Sequence, residues 1–173
     1  VVVEGHIPGG ALQEPREKAG LANFHSSMLT RGTRQHTFDQ LFEEIESIGA
    51  SLDVGSGGHT YSFGSKSLAE DLPTMLRLLA EVLREPSFPE DHVEKVRGEI
   101  LTSLQMRAHD TRRMASLTFS ELAYPDHPYG KSVKGYLDTI AGITREDVGV
   151  VSAPRTPPLL PVRSVMKWGA WIS

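Results

Sequence analysis

The chain has 173 residues, 39% of them hydrophobic and 23% charged, with a net charge of −4. These values suit one globular domain with a sizeable core and give no charge footprint for nucleic acid. There are no cysteines, which excludes disulfides, thiol catalysis and thiolate-held zinc.

In chain order, Val1 to Ile7 has the composition of a strand and ends at a Pro-Gly-Gly turn. Arg16 to Leu29 reads as a helix with Leu21, Phe24 and Met28 inward. Thr37 and Gln40 form a capping-box pattern ahead of the stripe Phe38, Leu41, Phe42, Ile45 and Ile48, which Gly49 ends. Ala50 to Val54 and His59 to Lys66 read as a hairpin joined by Gly55 to Gly58. Ser67 and Glu70 repeat the capping-box spacing before Leu72, Met75, Leu76, Leu79, Val82 and Leu83. Pro89 suits the first turn of the next helix, whose inner face is Val93, Val96, Ile100 and Leu104. A helix over Arg112 to Ala123, a loop from Tyr124 to Lys131 and two short helices follow, the second opening at Thr144. No apolar run is long enough to cross a bilayer.

One helix carries the functional signal. In KAGLANFHSSMLTRGT, Lys18 to Thr33, the residues Asn23, Ser26 and Ser27 stand at i, i+3 and i+4 and so share a face. An inverted zinc-hydrolase motif, H-x-x-E-H, uses that spacing to present two imidazoles and a general-base carboxylate. The surrounding Lys18, Gly20, Leu21, Ala22, Phe24, Met28, Gly32 and Thr33 resemble the pitrilysin/insulinase (M16) family of zinc peptidases. The segments Pro8 to Pro15, Phe38 to Val54 and Asp126 to Val148 resemble further parts of that family in the same order.

The resemblance implies an α+β fold, a mainly antiparallel sheet with helices packed on it, forming one half of a clamshell. It places Asn23 and Ser27 at the two histidine-ligand positions and Ser26 at the base. Aligning Arg97-Gly98 puts Ser103 at the third, glutamate ligand and Val96 at the acidic position two turns earlier. The family uses zinc; with these residues no metal or other cofactor is expected here. A carboxylate to activate water is missing, and serine and asparagine are poor zinc ligands. An active zinc metalloendopeptidase is therefore the least favoured reading.

The expected role is a non-catalytic subunit or domain that pairs with an active M16 partner and walls a peptide-binding chamber. The strand Ala50, Ser51, Leu52, Asp53 and Val54 is the candidate edge for an added peptide strand, since backbone pairing needs no metal. The competing readings are a scaffold without a peptidase partner and a nonfunctional gene fragment. His25 falls on the flank of the motif helix opposite Asn23, and His36, His59, His92, His109 and His127 show no ligand spacing. Arg112-Arg113 beside Arg107 reads as a solvated helix face rather than an anion site.

Residues 1–148 are read as the M16-like domain, lacking its first strands. The last 25 residues hold four of the 11 prolines and both tryptophans, and read as an irregular tail from a frameshift or an aberrant gene end. A soluble, cytoplasmic setting is the expectation.

Overall fold

The computed structural model describes residues 1–151. Its sheet has three antiparallel strands in the order β1-β3-β2: β1 (Val2–Pro8), β2 (Ser51–Ser56) and β3 (Thr60–Lys66). The helices are α1 (Leu21–Leu29), α2 (Phe38–Ser47), α3 (Leu72–Arg84), α4 (Glu90–Ala108), α5 (Thr111–Ala123), α6 (Leu137–Gly142) and α7 (Arg145–Val151). The fold is α+β, as expected. The irregular tail was expected from residue 149, but α7 continues through Val151; the rest of the expected tail lies outside the described residues.

The helix on which the functional reading rests is shorter than its sequence suggests. Arg16–Lys18 forms a single 3₁₀ turn, and Gly20 then takes φ 94°, so α1 starts at Leu21. The left-handed backbone at Gly20 interrupts what composition reads as one helix. The new N-terminus is satisfied by Glu14, whose carboxylate accepts from the Gly20 amide at 2.9 Å and from the Ala22 amide. Burial pushes that carboxyl up, against the pull of those amides and of Lys131.

Thr37 and Gln40 form the expected reciprocal cap on α2, with Thr37 N–H donating to Gln40 Oε1 at 2.9 Å and Gln40 N–H to Thr37 Oγ1 at 3.3 Å. Gly49 ends the segment at φ 60°. The strand that follows begins at Ser51, not Ala50, because the Ala50 amide donates to Ile45 O at the end of α2. The second capping-box pattern is not a cap. Ser67 exchanges backbone hydrogen bonds with Val1, and α3 starts later, at Leu72, with Pro73 in its first turn. Within α3, Leu78 is inside and Leu76 outside, giving the core stripe Met75, Leu78, Leu79 and Val82. Pro89 sits one position before α4. Glu90 and Asp91 in its first turn and Arg107 in its last match the helix dipole.

α1 lies at the centre, packed against β2 on one side and against α4 and α7 on the other. Phe24 and Met28 are fully buried there with Leu41, Met75, Leu78 and Val82. Lys18 is ion-paired with Asp147 at 2.7 Å, and Thr139 Oγ1 donates to Ala19 O at 2.7 Å. Arg97 lies over the Phe24 ring and donates to Ile140 O at 2.5 Å. These contacts fix the lead-in and flank of α1 against α4, α6 and α7.

Candidate functional site

Asn23 and Ser27, one turn apart on α1, face α4 across a cavity of about 450 Å³. Ser103 and Val96 line the same cavity from α4, two turns apart on one face. Four positions picked out by the family resemblance, distant in the chain, thus meet at one place. The floor is apolar: Phe38 and Phe42 from α2, with Ile100 and Leu104 from α4. At its rim Arg31 is paired with Glu99 at 2.8 Å and lies over the Phe38 ring. Lys134, from the loop before α6, completes the wall.

Ser26 does not line this cavity. It is buried against β2, its Oγ donating to Asn23 O at 3.0 Å and lying 3.3 Å from Ser56 Oγ. Ser27 Oγ donates to the same Asn23 carbonyl at 2.9 Å. Both hydroxyls are engaged with their own helix backbone, as serine side chains commonly are inside helices. An amide and two hydroxyls do not suit zinc, which takes imidazole, thiolate and carboxylate ligands. Among the described residues no three His, Cys, Asp or Glu side chains gather in a ligand arrangement.

The candidate peptide strand is an edge. β2 pairs only with β3 among the described residues, in the register Ser51↔Lys66 through Ser56↔Tyr61, leaving its outer side open beside α1. Leu52 is buried, Val54 is half-buried, and Ser51 and Asp53 are exposed. Ala50 falls just outside the strand.

His25, on α1, packs against the rings of Tyr61 and Phe88 at 5.4 and 5.7 Å. Burial pulls its imidazole down to about 4, so the ring is neutral at neutral pH. Burial, then the charge on Glu14, push the Tyr61 hydroxyl up.

A family model for insulinase, peptidase family M16, matches residues 3–136. The chain belongs to peptidase family M16. Among M16 relatives, it is 28% identical over 142 residues to cytochrome b-c1 complex subunit 1 of Bos taurus, covering 82% of this chain and 30% of that protein. It is 26% identical over 142 residues to the mitochondrial-processing peptidase subunit beta of Homo sapiens, covering 82% and 29%. The chain therefore spans about a third or less of the length of these relatives. Its fold matches the peptidase M16 inactive domain from Pseudomonas fluorescens with TM-score 0.80 at 22% identity, over 86% of this chain and 36% of that one. It matches pitrilysin with TM-score 0.74 at 24% identity, over 87% and 17%.

Several residues that shape this cavity and its surroundings carry no signal in the sequence. Glu14 is an isolated acid in a loop, and only the fold shows it closing the start of α1. Lys134 reaches the cavity through the packing of α6 on α4. The arginines read as one solvated face lie on two helices, Arg107 on α4 and Arg113 on α5, and both line a second pocket that Arg112 does not join. The local spacing around Arg112 says nothing of the turn at His109 and Asp110 that separates them.

Proposed function

We propose that this chain is a non-catalytic M16 module that pairs with a zinc-bearing M16 partner and helps hold extended peptides. The observation that carries the reading is the cavity where Asn23, Ser27 and Ser103 stand at the positions assigned to the metal ligands. Ser26, at the position assigned to the base, has no group suited to general-base activation of water, and the carboxylate at the cavity rim, Glu99, is engaged by Arg31 at 2.8 Å. The open edge of β2, next to α1, supports a peptide-holding role, because strand addition depends on main-chain hydrogen bonds.

A scaffold role without a peptidase partner is the second reading, and the likeness to a cytochrome b-c1 complex subunit favours it. The two readings are separated by mixing the purified chain with an M16 protein from the same genome that carries an intact H-x-x-E-H. The proposal expects a stable complex whose peptide cleavage exceeds that of the partner alone. A chain that binds stoichiometric zinc and cleaves peptide by itself overturns it. A chain that neither binds the partner nor changes its cleavage leaves the scaffold reading.

A further inference from the structure

Next to the cavity, and sharing Ser103, Leu104 and Lys134 with it, lies a second pocket of about 360 Å³ completed by Arg107, Arg113 and Ser116. Together the two form one groove along α4. Four cations line it, Arg31, Arg107, Arg113 and Lys134, against a single carboxylate, Glu99, which Arg31 already engages at 2.8 Å. The chain as a whole carries −4, so this positive groove runs against the overall charge.

The cations at the second pocket are incompletely compensated. Arg107 donates through Nη1 to Ser132 Oγ at 2.7 Å and through Nη2 to Gly135 O at 3.1 Å, both neutral acceptors. Its Nε is buried and has no hydrogen-bond partner among the described residues. Lys134 has no carboxylate within ion-pair distance among the described residues. Arg113 is paired with Asp110 at 3.1 Å, an exposed pair of the kind that contributes little. A partly buried guanidinium held by neutral groups leaves room for a charge-assisted bond to a carboxylate, and the Ser103 and Ser116 hydroxyls add donors.

We propose that the groove selects acidic peptides, an Asp or Glu side chain seating against Arg107, Arg113 and Lys134 while a neighbouring apolar side chain fills the floor at Phe38, Phe42 and Ile100. The proposal rests on the peptide-holding reading above and names the substrate class that reading leaves open. A site with carboxylate ligands would repel such a side chain; here Val96 and Ser103 stand where the family places acids, and the repulsion is gone.

The test uses the full chain and three fluorescein-labelled peptides of one apolar sequence, differing only in Glu, Gln or Lys at two positions, followed by anisotropy at low and high salt. The Glu peptide is expected to bind about tenfold more tightly than the Gln peptide, with the advantage shrinking as salt rises. Lys134→Glu and Arg113→Glu, both exposed, should each remove most of that advantage without lowering the melting temperature. Arg107→Lys keeps the charge and loses the fork, and should weaken the Glu peptide alone. Equal binding of all three peptides, or preference for Lys, overturns the acidic selectivity and leaves peptide holding intact. No binding of any peptide overturns both. Tighter binding of a single-stranded oligonucleotide than of the Glu peptide also overturns the proposal.

Discussion

At the scale of single residues, two side chains on α1 set testable behaviour. Ser26 is buried and tied to Asn23 O and to Ser56, so a carboxylate placed there alone would be buried without a partner. Asn23→His, Ser26→Glu, Ser27→His and Ser103→Glu made together should therefore be less stable than the parent by roughly 2–4 kcal/mol without metal. Zinc should restore the melting temperature and bind stoichiometrically by metal analysis; no zinc uptake would mean that the assigned ligand positions are misplaced. His25 gives a pH signature. Its imidazole is pulled from 6.5 to about 4 by burial, so the unfolded chain takes up its proton first on acidification. The stability of the neutral ring is full above pH 6.5 and is lost as the pH falls toward 4, a loss of about 3 kcal/mol. His25→Leu should flatten thermal stability across that window. Glu81 acts lower. Burial would raise its carboxyl, but hydrogen bonds from Thr33 and His36 and the charges of His36 and Arg77 outweigh that and hold it below 4.5. Its contribution is present above 4.5 and disappears as the pH falls through the folded value, so His25→Leu should leave an acid transition below 4.5.

At the scale of elements, what the sequence made legible was what neighbours along the chain decide. The Thr37–Gln40 cap on α2 is local chemistry and is found as read; Thr37→Ala should cost about 1 kcal/mol in chemical denaturation. The Ser67–Glu70 pattern has the same spacing and fails, because Ser67 is claimed by pairing with Val1 at the far end of the chain. The start of α1 was missed for a similar reason. Gly20 and Gly135 meet backbone to backbone: a Cβ on Gly20 would lie 2.8 Å from Gly135 Cα, and one on Gly135 would fall inside contact distance of Ala19 O. Both glycines have positive φ, 94° and 78°. Gly135→Ala should therefore cost roughly 2–4 kcal/mol, far above an ordinary exposed Gly→Ala change. At the site, Asn23 with Ser27 on α1 and Val96 with Ser103 on α4 were legible as pairs sharing a helix face, and the fold brings the two pairs to one cavity. The cations Arg107 and Lys134 were not, since only tertiary packing makes them neighbours.

At the scale of the whole molecule, the three-stranded sheet is open at both sides among the described residues, and β1 carries the exposed apolar side chains Val2 and Ile7, with exposed Val1 just before it. An unprotected edge of this kind is a template for another strand. The isolated chain should associate with rising concentration in sedimentation equilibrium, and Val2→Lys should suppress that association while leaving the melting temperature within a few degrees. The contact between Gly20 and Gly135 has a further consequence at this scale. Gly135 O also holds Arg107, and the residue before it is Lys134, so the loop that carries positive charge to the groove is braced on the N-terminus of the helix bearing Asn23 and Ser27. The two sides of the groove are thus tied together through the Gly20–Gly135 backbone contact and the Arg107 bond to Gly135 O. The consequence expected of such a brace is a groove that is shaped before any ligand arrives, with no loop to order. Capture should then follow a single bimolecular phase whose rate is set by charge and ionic strength rather than by any rearrangement of the protein.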